Sequence, residues 1–331
     1  MKKLFSLFAV LCTAATMWAN GTLIDGIYYI LAGDSAAVTY MGPDYWRDND
    51  YVDAITIPSS VTCSGTTYRV TSVGEFAFYG CQGLSSITLP SSVTSIDKDA
   101  FFGCIGLSSV SIPSSVTRLG DYAFGNCNAL TSMTLSDSVV SVGSAAFHGC
   151  SSLTSPLYNQ RIFAYLPASY SGAYTIPSGI ETIAGSAFAD CEDLSSVTIP
   201  TSVTSIGESA FSFCTGLSTI TIPSSITEIG NGAFVYCIGL TSITCEATTP
   251  PALSEDVFAD VDTSIPLYVP AASVSLYQAA DQWKDFNIQG VATSLDAISS
   301  PSETQTKLLL NGRLYLRHNS SLFDLCGHKV K

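Results

Sequence analysis

The chain has 331 residues, a formal net charge of -14 and only 12% charged residues, against about 25% in an ordinary globular domain. The acid excess excludes a nucleic-acid partner, which needs a basic stripe, and an apolar content of 47% excludes a simply disordered chain. Eleven Cys leave a disulfide framework, metal sites or packed thiols all open.

Lys2 and Lys3 precede an apolar run from Leu4 to Trp18, followed by the small Ala19. A short charged region, an apolar region and a cleavage site make residues 1–19 a secretory signal peptide. The run is too short for a membrane anchor, and Leu11 before Cys12 is too bulky for a lipoprotein site. No other run approaches a membrane span, so the mature chain is expected to be exported without one.

Residues 20–70 are expected to form an N-terminal β-hairpin cap and the entry to a repeat array. "LIDGIYYIL" reads as a strand, "AAVTYM" as its partner after Gly33-Asp34, and Tyr68 and Val70 continue the cap beyond a turn at Gly65. Asp44, Asp48, Asn49, Asp50 and Asp53 cluster here. Such oxygens can hold Ca²⁺, but the Gly and terminal Glu of the EF-hand loop are missing, which favours a solvated loop.

From residue 71 to 247 the chain repeats every 23 residues. "LSSITLPSSVTSIDKDAFFGCIG" from Leu84 returns at Leu107, Leu130, Leu194 and Leu217, and Phe78, Phe101, Phe124, Phe147, Phe188, Phe211 and Phe234 mark the register. Phe147 to Phe188 is a step of 41, 18 more than the period, so an irregular turn is placed at 154–176. In each unit Leu84, Ile87 and Leu89, or their equivalents, point inward from a short strand, and Pro90 ends it. A second extended piece runs from Val93 to Ile96. Gly120, Gly143, Gly207 and Gly230 follow as turns that need a permissive backbone, and the Ala-Phe pair is read as a short helical turn with Phe as an inward wedge. A 23-residue unit cannot bury these side chains alone, so the units are expected to stack into one elongated core.

These residues resemble the leucine-rich repeat, and "IPSSVTSIGESAFSFCTGLSTITIP" from Ile199 is similar to the BspA-like, type-5 subgroup of exported bacterial surface proteins. The resemblance covers about residues 55–290 and implies a β-rich leucine-rich-repeat solenoid. Short parallel strands line one face, short helical or irregular turns the other, and both ends are capped. Ser92 and its equivalents stand where other leucine-rich repeats carry a buried Asn.

Residues 248–291 read as the final repeat and C-terminal cap, with Trp283 sealing the last apolar layer rather than holding a ligand. Residues 292–306 read as a linker. Residues 307–331 form a small β-rich basic tail around the hairpin signal Asn311-Gly312, with a third strand near Leu322 to Leu325. Its "FDLCGHKVK" resembles the ends of C-terminal sorting modules of Bacteroidetes exported proteins, so it is either a sorting element or an extra β-element on the acidic array.

Cys81, Cys104, Cys127, Cys150, Cys191, Cys214 and Cys237 follow the repeat Phe by three residues. In a solenoid they form a ladder of parallel side chains. That geometry favours buried thiols over disulfides, which need converging Cβ atoms, and over a metal centre, which needs converging ligands. With three His and no nucleophile or nucleotide fingerprint, no catalytic residue, metal or cofactor is assigned, and the chain is read as no enzyme.

The repeated exposed pattern is the strand face. One ladder is Ser86, Ser109, Ser132, Ser196, Thr219 and Ser242; a parallel one is Thr88, Ser111, Thr134, Thr175, Thr198, Thr221 and Thr244. Hydroxyl side chains suit exposed strands in any case, and they also make a docking surface for a protein or glycan. The family resemblance implies an adhesion or protein-binding module at the cell surface or secreted. A structural envelope scaffold, a periplasmic location and weak glycan binding stand as alternatives, and the oligomeric state is left open.

Overall fold

In a computed structural model the described residues are 21–41, 50–291, 305–310, 313–318, 321–323 and 329–330. The signal peptide, Asp44, Asp48, Asn49, most of the expected linker, the Asn311-Gly312 pair and Cys326 lie outside them. Each regular coil has a front strand, a short side strand and a run of turns. In one coil these are Leu84–Thr88, Ser95–Ile96 and the residues from Asp97 to Cys104. Front strands pair in parallel with front strands and side strands with side strands, one period apart in the regular coils, as in Ser86 with Ser109 and Ser95 with Arg118.

The turn run is not helical. In the first coil Ala77 N–H donates to Gly74 O, Tyr79 to Phe76 O and Cys81 to Phe78 O, which makes three overlapping turns. The N–H groups between them, of Phe76, Phe78 and Gly80, donate instead to the next coil at Lys98 O, Ala100 O and Phe102 O. Alternating local and coil-to-coil bonds satisfy every second donor differently, which a helix cannot do. The pattern sets φ positive two residues before and two residues after the repeat Phe, as at Asp99 and Gly103 or Tyr122 and Asn126. Gly120, Gly143, Gly207 and Gly230 are not among these positive-φ positions, so their expected role is corrected. They are small because coils touch there: a Cβ on Gly120 would lie 2.4 Å from Lys98 N. Asp97 holds this position where the preceding coil is the long strand Thr66–Val73.

Inside the coils the repeat Phe rings are fully buried and stack face over face. Phe78, Phe101, Phe124 and Phe147 are 5.0–5.8 Å apart and within 5° of parallel. The core is nevertheless two apolar clusters rather than one. At the irregular turn a hairpin of Leu157–Tyr158 and Ile162–Tyr165 replaces a full coil. Its Phe163 stands in for the absent repeat Phe and stacks on Phe188 at 4.7 Å, joining the second cluster, while Leu157, Ile162 and Tyr165 join the first.

Asn159, 6% exposed, fastens this hairpin to the coil before it. Its Nδ2 donates to Ser136 O and Val139 O, and its Oδ1 accepts from Arg161 and Ile162 N–H. Asn159→Ala should therefore cost about 2 kcal/mol, because removing it strands these backbone groups. A urea-unfolding series against wild type checks this.

At the N-terminal end, "LIDGIYYIL" is two strands rather than one, Thr22–Ile24 and Ile27–Ala32, turning at Asp25-Gly26. Asp25 and Gly26 both take positive φ, as such a two-residue hairpin loop requires. Ile27–Ala32 then pairs with Ser35–Thr39, which joins the side-strand sheet through Thr66–Val73. At the other end Pro266–Pro270 and Asn287–Val291 close the front sheet, with a short helix, Val274–Ala279, between them. Trp283 is 1% exposed, its Nε1–H donates to Pro251 O, and it packs on Phe258 and Tyr277. In the tail, Gln305–Leu310, Arg313–His318, Ser321–Phe323 and a fourth strand absent from the sequence reading, Lys329–Val330, form an antiparallel sheet.

Candidate functional site

The front strands alternate cleanly: Leu194, Val197 and Ile199 are buried, while Ser195 and Thr198 are exposed and Ser196 is half-buried. This alternation puts all the candidate face residues at exposed or half-buried positions. They do not form one continuous ladder. Ser86, Ser109 and Ser132, with Thr88 and Ser111, form a first patch; Thr134 follows Ser132 outside any strand. Ser196, Thr219 and Ser242, with Thr175, Thr198, Thr221 and Thr244, form a second. Between Ser132 and Gly172 no front strand is formed, because the step of 18 residues beyond a period goes into the side hairpin.

A second kind of hydroxyl lies immediately ahead of these strand positions. Ser108, Thr131, Ser218 and Thr241 donate to the backbone carbonyl one coil back, Ser85, Ser108, Ser195 and Ser218, at 3.0–3.5 Å. They knit coil to coil. None of the candidate face hydroxyls makes a side-chain hydrogen bond among the described residues. Their donors and acceptors are open to a ligand. Sequence reading missed that the second patch runs on into the cap: Thr244 registers with Tyr268, and Tyr268 with Gln289. The step from Thr244 to Tyr268 is 24 residues, one beyond the period, which hid it.

All nine described cysteines are unbridged and buried. The ladder thiols do more than fill space. Cys104 Sγ lies 3.0 Å from Phe78 O, Cys127 3.1 Å from Phe101 O, and Cys150, Cys214 and Cys237 repeat the contact one coil later each time. The same carbonyl already accepts a turn N–H, as Phe78 O accepts from Cys81, so the thiol satisfies its second lone pair. At the break Cys191 turns to Pro167 O at 3.6 Å. Burial pushes the thiols of Cys81, Cys191 and Cys237 up from 9.0 to about 12, and raises those of Cys104, Cys150 and Cys214 as well.

Reactivity follows the thiolate, so iodoacetamide at pH 8 should leave the peptides of Cys81, Cys104, Cys150, Cys191, Cys214 and Cys237 unmodified until denaturant is added, as peptide mass spectrometry would read. The linkage sign is also set. The folded pKa lies above the unfolded one, so this contribution to stability is complete below pH 9 and is lost as pH rises toward 12. The urea midpoint should fall above pH 9.

His148 is half-buried and faces Asp190 at 3.6 Å. Among the described residues no group of His, Cys, Asp or Glu is arranged to hold a metal ion, and no helix is long and apolar enough to cross a membrane.

The chain matches a model of the BspA type leucine rich repeat region, in six copies, over residues 49–164 and 170–265. Similar solved structures include a leucine rich cell surface protein of Faecalibacterium prausnitzii, 22% identical, covering 84% of this chain and 96% of that one, with a TM-score of 0.44. A leucine-rich repeat protein of T. pallidum is 26% identical over 66% of this chain and 90% of its own, with a TM-score of 0.44. One from Eubacterium ventriosum is 23% identical over 74% and 77%, with a TM-score of 0.48. No curated protein matches the chain. The repeat match spans more than half of the chain and coincides with the coils described above: this chain belongs to the BspA-type leucine-rich repeat family, whose solenoid is a non-catalytic scaffold typical of binding modules.

Proposed function

We propose that the chain is an exported, cell-surface adhesion module that binds a protein through its front strands. The observation that carries this reading is the division of labour among the hydroxyls. Those at Ser108, Thr131, Ser218 and Thr241 are spent on coil-to-coil bonds, while the candidate ladders beside them stay available. The second patch is the better docking surface, because it is continuous from Thr175 to Gln289 and includes Tyr268, the residue type that anchors interfaces.

The test pairs location with binding. Protease treatment of intact cells should release solenoid peptides. The purified chain should bind immobilised host matrix proteins, and Thr198→Lys with Thr221→Lys should abolish that binding. Both positions are exposed, so stability should stay within about 0.5 kcal/mol. Release of no peptide, or undiminished binding by the variant, would leave an envelope scaffold as the better reading.

A further inference from the structure

Position two beyond the repeat Phe takes positive φ in every coil, which suits Gly, Asn or Asp and penalises bulky side chains. In the first cluster the position is held by Gly80, Gly103, Asn126 and Gly149. In the second it is held by Asp190, Phe213, Tyr236 and Asp260, with φ of 61°, 59°, 59° and 61°. Their N–H groups bond coil to coil, Asp190 to Ser212 O, Phe213 to Val235 O and Tyr236 to Ala259 O, so the four form one column. The two rings stack at 4.7 Å and 7°, and Phe213 and Tyr236 are 43% and 44% exposed. Burial does not compensate the strain, and backbone strain of this kind is concentrated at functional sites.

The surroundings select the charge of a ligand. Residues 162–283 contain twelve Asp and Glu and no Lys or Arg. Next to the column, through Ala259, lies a cleft of about 470 Å³ lined by Glu255, Asp256, Phe258, Asp281 and Asp285. One of these, Asp281, is paired with Lys284 at 2.7 Å and is 86% exposed. Aromatic faces attract cations, a guanidinium also stacks flat on rings while bonding carboxylates, and an acidic field steers cations toward the surface.

We propose that the Asp190–Phe213–Tyr236–Asp260 column and the adjoining cleft bind an arginine-containing basic segment of a protein partner, with one guanidinium stacked on the ring pair. That the partner is a protein rests on the function proposed above; the site itself is tested without it.

The full chain is titrated with labelled nona-arginine and nona-lysine peptides at physiological salt, read by fluorescence anisotropy. Nona-arginine should bind roughly ten-fold tighter, since lysine gains the field without the stacking. Phe213→Asn with Tyr236→Asn should erase that preference while leaving the melting temperature unchanged or raised, because Asn suits positive φ. The Thr198→Lys, Thr221→Lys variant should keep it. Equal binding of the two peptides, a preference that survives the Asn substitutions, or binding of a neutral oligosaccharide that those substitutions abolish in place of the arginine preference would each overturn the proposal. A preference lost in the front-strand variant would overturn the site while leaving the protein-binding reading in place.

Discussion

Phe211→Ala should lower stability by about 4 kcal/mol, the largest single effect expected for a side chain here. Phe211 is fully buried between Phe188 at 4.7 Å and Phe234 at 5.1 Å. Those rings are held by their own coils, so the space left by the missing ring cannot collapse. The loss is also shared by two coil interfaces, since each coil of a solenoid is stabilised chiefly by its neighbours. Because the core is split at the hairpin, the damage should be directional. Hydrogen exchange should speed up across residues 163–286 and much less before residue 150; Phe124→Ala should do the reverse. Equal acceleration on both sides in either variant would mean that the two clusters unfold as one unit.

Gly230→Ala should cost about 3 kcal/mol, at the upper end for an added methyl in a packed site. The new Cβ would stand 2.5 Å from Glu208 N, 2.7 Å from Gly207 C and 2.9 Å from Glu208 Cα. All three are backbone atoms, so no rotamer change relieves the clash and the coils must separate. Separation would stretch the bond from Gly230 N–H to Ile206 O, 2.8 Å. The control is Gly80→Ala: nothing lies within 4 Å of a Cβ there, and its cost comes from positive φ alone, about 1 kcal/mol. Thermal unfolding of the two variants side by side checks the difference; equal costs would show that φ, not coil contact, governs both positions.

Several features are legible in the sequence. The period of Phe101, Cys104 and Leu107 specifies which side chains face inward, because repeated burial at a constant step leaves the same residue types at the same positions. Trp283 as the seal and the Gly65 turn follow from equally local signals. Other features depend on how coils touch. The Gly column looked like a set of turns needing a permissive backbone, whereas positive φ falls at other positions and Gly230 is small because a neighbouring backbone is near. The Cys column looked like inert filling, whereas its thiols complete carbonyls one coil back. Asn159 and Phe163 carried no repeat signal, since each does its work across the irregular step.

The sequence by itself determined the repeat, the fold, the inward-facing ladders and the hydroxyl composition of the front strands, for these follow from periodic burial along one chain. Only the tertiary structure decided that the front face is two patches, that the hydroxyls of Ser108, Thr131, Ser218 and Thr241 beside it are already engaged, and that Phe213 and Tyr236 meet between two carboxylates. Residues a period apart in sequence become neighbours only after stacking, and the 18-residue departure from that period changes which coils stack where.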